Sequence, residues 1–252
     1  MIYRQTFIRI IAAVLFLFAI QQVGSANEKD STAQNIFTLI YNQHFSEAEK
    51  ALALHCSQLE PFYYNILNLD LYWWKYSLSR SKDDAKSLNS MLSNFNKNSA
   101  NKQEVFINEL IRLSYQMRYE IKRYNLVGAL FLRSEARSKI ETVKQYELSF
   151  LGDRQNLFDL YVSLFDYFDT AINPFLFGRK SEAYSKSLLK LEKYSFNNDL
   201  ILSTLAHYFL GRIYMKVEKQ PEKGIGHFKI LAKRFPENPL FYELANGLNP
   251  RF

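Results

Sequence analysis

Three side chains near the C-terminus have the types and spacing that suit binding of a peptide or a carboxylate. Tyr208, Arg212 and Met215 follow one another at steps of four and three, so a helix places them on one face. Arginine offers a planar fork of donors, and methionine is a soft, adaptable apolar contact. The alternative is packing against the preceding helices, with Arg212 in solvent.

Two adjacent tryptophans raise a similar choice. Trp73 and Trp74 point about 100° apart on a helix, and Trp74 shares its face with Asp70. Such a face is a candidate platform for a ligand. Burial of both tryptophans is the favoured alternative, because large aromatic side chains are first of all core material.

A third set of residues is acidic. Asp159, Asp166 and Asp169 share one helix face and could receive a partner rich in Lys and Arg. They supply too few ligands to indicate calcium. A solvated face is favoured, because clustered surface charge is common on helices.

No motif for catalysis or metal binding occurs in the sequence. The four histidines have no zinc-ligand spacing, and there is no Gly-rich phosphate loop, no G-x-S-x-G and no H-E-x-x-H. The single cysteine, Cys56, is predicted to be a buried structural thiol. We therefore predict no enzymatic activity, no metal and no cofactor.

The first 26 residues have the pattern of a cleaved signal peptide. Arg4 and Arg9 precede an apolar run over 10–20, which is shorter than the roughly 20 residues that span a bilayer, and small residues follow at 24–26. We predict cleavage after Ala26, which leaves 27–252 as one domain without a transmembrane helix. One cysteine and no Asn-x-Ser/Thr site favour the bacterial periplasm, with secretion as the alternative.

The charge is only mildly basic. The whole chain has a net charge of +7, and loss of the two N-terminal arginines leaves 30 basic and 25 acidic residues, or +5. This balance is typical of a solvated surface. We predict no nucleic-acid partner and at most weak association with a membrane surface.

The elements that position these side chains are predicted to be helices. Only 8 Gly and 6 Pro interrupt the chain, and apolar residues recur at steps of three and four. Start signals are Ser46 with Glu49, Pro61, Ser81, Pro221 and Pro239. The predicted helices lie near 32–43, 46–59, 61–79, 82–96, 103–123, 126–150, 154–171, 180–195, 199–217, 221–235 and 239–247. The fold class is all-α, with stacked antiparallel helix hairpins and no sheet.

A degenerate repeat places a small residue near several helix starts. FSEA, SKDDA, KSEA and PEKG contribute Ala48, Ala85, Ala183 and Gly224. Gly211 lies in the middle of a predicted helix, where glycine costs about 1 kcal/mol relative to alanine. Small residues allow helices to approach closely, so we predict that Gly211 and Gly224 lie where two helices cross.

The C-terminal hairpin resembles a tetratricopeptide repeat. The match is specific over 204–238 and weaker over 33–61, where Ala48, Leu52 and Pro61 fit. The matching residues of the C-terminal repeat are Leu210, Gly211, Tyr214, Gly224, Phe228, Leu231 and Pro236. The resemblance implies a right-handed solenoid with a C-terminal capping helix and a concave groove that binds a protein or peptide.

By the family's pattern, the groove residues are Asp70, Trp74, Tyr208, Arg212 and Met215. Trp74 and Tyr208 would then lie several hairpins apart along an extended ligand. The predicted function is an exported scaffold that holds a partner protein or peptide. The alternatives are a carbohydrate-binding module, whose aromatic faces stack on sugars, and an enzyme whose site is built from scattered residues.

Overall fold

The computed structural model describes residues 31–95, 102–145, 153–172 and 182–248. Of these residues 84% are helical and none is in a strand, which confirms the predicted all-α class. The helices are α1 (31–41), α2 (Phe45–Leu54), α3 (Pro61–Ser79), α4 (Lys82–Asn94), α5 (Lys102–Lys122), α6 (Leu126–Gln145), α7 (Asp153–Ile172), α8 (Glu182–Ser195), α9 (Leu200–Lys216), α10 (Pro221–Arg234) and α11 (Pro239–Ala245).

Most predicted helix starts are confirmed. Pro61, Pro221 and Pro239 each occupy the first turn of a helix, where the missing N–H has no helical partner to lose. The Ser81 hydroxyl accepts a hydrogen bond from the Asp84 N–H at 3.0 Å and caps α4. The predicted signal peptide, the predicted end of the helix near 126–150 and the predicted start of the helix near 180–195 lie outside the described residues.

Helix α2 differs from its prediction at both ends. It begins at Phe45 and not at Ser46, because the His44 carbonyl already accepts a hydrogen bond from the Ala48 N–H at 2.9 Å. It ends at Leu54 and not near 59. The turn that follows is closed by the His55 carbonyl, which accepts hydrogen bonds from the N–H groups of Gln58 and Leu59.

The helices pack as pairs, as the short breaks between them predict. Neighbouring helices form the hairpins α3–α4, α5–α6, α7–α8 and α9–α10. The first helices of successive hairpins also contact each other, α5 with α7 and α7 with α9. Within the described part of the chain no helix is both long and apolar enough to cross a membrane.

The α9–α10 hairpin has the close crossing that the glycines predict. A Cβ atom on Gly211 would lie 2.6 Å from the Phe228 ring, and one on Gly224 would lie 2.8 Å from the Gly211 carbonyl oxygen. Leu210, Tyr214 and Phe228 are buried around this contact.

The other repeat residues have different surroundings. Ala48 is fully buried and Ala85 is half-buried, whereas Pro236 is exposed in the turn after α10. The side chain of Ala183 is outside the described part of the structure. The small residues of the degenerate repeat are therefore not equivalent in packing.

The first and last described helices lie against each other. Phe37 and Tyr41 of α1 pack on Phe235 and Phe241, with ring centroids 6.1 Å apart for Phe37–Phe235 and 6.3 Å apart for Tyr41–Phe241. The Asn238 amide donates to the Tyr41 carbonyl at 2.5 Å. This contact joins residues almost 200 positions apart, and nothing in the local sequence pattern indicates it.

We expect Asn238→Ala to destabilise the protein by about 2–3 kcal/mol, because it removes a helix cap and leaves a buried carbonyl unpaired. Asn238 is 1% exposed, and its Oδ1 also accepts from the Phe241 N–H at 3.2 Å. Urea unfolding measures the loss. Asn246→Ala is the control, because Asn246 is exposed and bonds only locally to the Tyr242 carbonyl. Equal losses of unfolding free energy in the two variants would contradict a stabilising contact between Asn238 and α1.

Candidate functional site

A buried polar cluster lies where α1, α3 and α5 meet. Asp70 of α3 is 1% exposed and accepts hydrogen bonds from the hydroxyls of Tyr115 and, at 3.4 Å, Tyr41. Burial raises the pKa of Asp70 to about 6, and the Tyr115 hydrogen bond and the charge of Arg118 oppose that rise. Asp70 is thus a core carboxylate, and it does not face an open groove.

Trp74 is also buried. Its ring contacts those of Tyr41, Tyr208 and Phe241, with centroids 5.5, 5.7 and 5.9 Å away. The expectation that Trp74 and Tyr208 lie several hairpins apart is therefore wrong. The contact of α1 with the C-terminal helices encloses both side chains in one aromatic cluster.

A cavity of about 430 Å³ adjoins this cluster, a volume within the range of small-molecule sites. It is bounded by six helices and one turn. Its lining residues are Trp73, Ser77 and Arg80 at the end of α3, Ser114, Met117, Arg118, Ile121 and Lys122 of α5, Tyr124 of the α5–α6 turn, Arg133 of α6, Leu164, Phe165 and Phe168 of α7, Tyr208, Phe209 and Arg212 of α9, and Leu240 of α11.

The charged groups of the lining are all cationic. They are Arg80, Arg118, Lys122, Arg133 and Arg212, and no Asp or Glu is among the described lining residues. Arg133 pairs with Asp169 just outside the lining. The cavity therefore combines several positive charges with an apolar wall.

Arg118 lies at the junction of the cavity and the polar cluster. Its guanidinium carbon is 3.7 Å from the Tyr115 ring centroid and 4.9 Å from that of Trp73. Its Nε donates to the Ser114 carbonyl at 3.3 Å, whereas its buried Nη2 has no hydrogen-bond partner within the described residues. A buried donor of this kind is costly unless a ligand or water accepts from it.

Lys122 lies close to two of the arginines in the lining, Arg80 and Arg212. Its Nζ donates to the Ser77 carbonyl at 2.9 Å. Burial, together with repulsion from Arg80 and Arg212, lowers the pKa of Lys122 to about 8. An anion placed among these three cations would relieve that repulsion.

The apolar part of the lining comes from several helices. Helix α7 contributes Leu164, Phe165 and Phe168, and α3 and α9 contribute Trp73 and Phe209. Aromatic and aliphatic surfaces of this kind exclude water and take up a hydrocarbon chain.

The structure separates the first predicted set of binding residues. Tyr208 and Arg212 line the cavity, but Met215 does not. The Met215 Cγ would lie 2.4 Å from a Cβ on Gly224, so Met215 fills the helix crossing. The three residues have the predicted helical spacing. Met215 lies one turn further along α9, where the helix packs against α10 and not against the cavity.

The three predicted acidic residues do not form one patch. Asp159 accepts from Gln155 at 3.1 Å, and burial together with the nearby Asp159 raises the pKa of Tyr194 of α8. Asp169 instead pairs with Arg133 of α6, and both Asp166 and Asp169 lie near Arg137 of the same helix. The carboxylates of α7 therefore face two different neighbouring helices, α8 and α6.

Cys56 is exposed, so the prediction of a buried thiol is wrong. It lies in the turn after α2, which ends before residue 56 reaches the core.

His207 and His227 pair through their Nδ1 atoms at 2.8 Å, and burial lowers both pKa values, that of His207 to about 4. No group of three metal-ligating side chains occurs in the described part of the chain.

Helix α5 makes the largest contribution to the cavity, and none of its residues is among the predicted binding residues. Ser114, Arg118 and Lys122 recur at steps of four on this helix, beside the buried positions Ile111 and Tyr115. The sequence signal is the position of two cationic residues, Arg118 and Lys122, directly beside the apolar face of α5. The α7 aromatics give no comparable signal, since periodicity alone does not separate a cavity wall from packing.

Similarity to other proteins gives no assignment. The chain matches no protein-family model, and no curated protein or solved structure is significantly similar to it. The geometry of the cavity is therefore the basis of the functional proposal.

Proposed function

We propose that this protein binds an amphipathic anion, a molecule with an acidic head and a hydrocarbon or aromatic body. The observation behind the proposal is the cavity lining, which holds five cationic side chains, no described carboxylate and a wall of aromatic and aliphatic groups. A cation or a fully polar solute would leave one part of this lining uncompensated.

The acidic head is placed among Arg80, Lys122 and Arg212. Arginine recognises a carboxylate or phosphate with two parallel hydrogen bonds, and lysine adds a point charge. Burial and repulsion from Arg80 and Arg212 lower the pKa of Lys122 in the empty site, and a bound anion would offset both effects. The anion is bound and released unchanged.

The body of the ligand lies against Trp73, Phe165, Phe168 and Phe209. Each methylene removed from water contributes about 0.8 kcal/mol. Affinity should therefore rise with chain length until the cavity is full. Arg118, stacked on Tyr115, adds a further positive charge to the lining.

Calorimetric titration with ligands of one tail and different heads tests the proposal. We expect dodecanoate to bind with saturation at one molecule per chain, and dodecyltrimethylammonium to bind much more weakly. Acetate, which has the head without the tail, should not bind measurably. Equal affinity for the anionic and cationic amphiphiles would contradict the proposal.

The pKa of Lys122 predicts how binding depends on pH. Bound dodecanoate stabilises the charged ammonium, so affinity should be full below pH 8 and fall about tenfold as pH rises through the free pKa of about 8. Titration between pH 7 and 9.5 measures this change. Lys122→Arg is the control, because arginine stays charged and should bind with little pH dependence.

We also propose a tetratricopeptide-like arrangement of the helix pairs, export to the periplasm, and a peptide as the second candidate ligand. The Gly211–Gly224 crossing supports the first of these. A peptide with a free C-terminal carboxylate and an apolar last residue offers the same chemistry as dodecanoate. Displacement of bound dodecanoate by such a peptide, and not by its C-terminal amide, would favour this candidate.

A further inference from the structure

The end of α5, the turn that follows and the start of α6 expose an unusual number of large apolar side chains. Of fourteen such residues exposed in the described part of the chain, six fall within 121–131. We call these six the hairpin tip: Ile121, Tyr124, Leu126, Val127, Leu130 and Phe131. Scattered exposed apolar residues need no explanation, whereas a cluster of this kind marks a surface that contacts something else.

The hairpin tip is held in shape by polar contacts that leave its apolar groups in solvent. The Asn125 side chain accepts from the Gly128 N–H at 3.1 Å and donates to Glu120 at 2.6 Å. Tyr124 has a φ of 60°, a conformation that bulky residues seldom adopt, and its side chain is 84% exposed. In the isolated chain, the Tyr124 side chain is therefore neither buried nor attached to a favourable backbone conformation.

Two exposed arginines flank the hairpin tip. Arg123 and Arg137 are 54% and 62% exposed, and each lies near a glutamate of its own helix, at 3.9 Å from Glu120 and 3.1 Å from Glu141. Exposed ion pairs of this kind contribute at most about 1 kcal/mol, so both arginines are free to turn toward a phosphate. Apolar side chains surrounded by basic ones are complementary to an anionic lipid surface, where the apolar groups enter the headgroup region and the basic groups meet phosphates.

The hairpin tip is also continuous with the cavity. Ile121 and Tyr124 belong to both, and Lys122 lies between them in sequence. A partner surface bound by the hairpin tip would therefore lie next to the edge of the cavity.

We propose that the hairpin tip docks on a bilayer containing anionic phospholipid, so that the cavity receives an acidic lipid directly from the membrane. The second part of this statement rests on the proposed function, and the docking itself does not. The partner surface is a lipid bilayer, because the apolar groups lie at the exposed end of the α5–α6 hairpin beside two exposed arginines, and such a set of side chains fits a deformable anionic interface.

Vesicle flotation tests the docking. Wild-type protein should float with vesicles of three parts phosphatidylcholine to one part phosphatidylglycerol, and bind pure phosphatidylcholine vesicles much more weakly. Val127→Ser/Phe131→Ser should weaken the binding at least tenfold. The matched control is Leu189→Ser/Phe196→Ser, which removes two exposed apolar side chains elsewhere and should bind as wild type does.

The same variants separate docking from ligand binding. Val127 and Phe131 do not line the cavity, so the double variant should keep wild-type affinity for dodecanoate in solution. Absence of vesicle binding by wild type, or equal binding by the two double variants, would overturn the docking proposal and leave the ligand proposal standing. A wild-type dimer that becomes monomeric in Val127→Ser/Phe131→Ser, without vesicle binding, would also overturn it and assign the hairpin tip to self-association.

Discussion

Replacing Arg212 with Glu is expected to lower the affinity for dodecanoate about 100-fold, because a charge-assisted hydrogen bond is lost and a like charge faces the ligand head. Arg212 lines the cavity near Lys122 and Arg80 and is half-buried on α9. The measurement is a calorimetric titration of each variant beside a thermal melt. The melting temperature should stay close to that of wild type.

Lys229→Glu is the control for this variant. Lys229 lies on the neighbouring helix α10, is exposed, and does not line the cavity. It undergoes the same change of charge, so it measures the effect of net charge away from the site. An equal loss of affinity in the two variants would show that the ligand senses long-range charge, and would move the head away from Arg212.

The second large effect is on stability. Gly224→Leu is expected to destabilise the protein by at least about 3 kcal/mol, the upper end of the usual cost of overpacking. The new Cβ would meet the Gly211 carbonyl oxygen at 2.8 Å and the Met215 backbone nitrogen at 3.1 Å. Both are backbone atoms of α9, so only separation of the two helices relieves the clash.

Gly226→Leu is a matched control on the same helix. Gly226 is exposed, and a Cβ there would meet nothing within 4 Å. Because leucine is a better helix former than glycine, this variant should be stabilised by up to about 1 kcal/mol. Urea unfolding of the two variants should therefore give shifts of opposite sign. Shifts of the same sign and size would contradict the close approach of α9 and α10.

The features predicted correctly are those set by nearby residues. Prolines at the first turns of α3, α10 and α11 and the Ser81 cap depend on contacts within a few positions. The Gly211–Gly224 crossing joins adjacent helices through a short turn, so it too is visible in the sequence. Local geometry also placed Tyr208 and Arg212 on one face of α9.

The features that were missed depend on which distant helices meet. Contact of Tyr41 with Phe241 brings α1 onto α11 and turns Trp74 and Asp70 into core residues. The cavity needs α3, α5, α6, α7, α9 and α11 at once, and no spacing within one helix specifies that arrangement. Arg118 shows the limit most clearly, since its partners Trp73 and Phe209 are 45 and 91 positions away in sequence.

The most direct test of the central claim, that the cavity binds an amphipathic anion, is quenching of Trp73 fluorescence by a brominated fatty acid, which quenches on contact. The chain has two tryptophans, and Trp73 lines the cavity whereas Trp74 does not. If the ligand lies in the cavity, quenching should be strong in Trp74→Phe and saturate at one ligand per chain, and it should be much weaker in Trp73→Phe. Equal quenching of the two variants, or quenching that never saturates, would contradict the central claim.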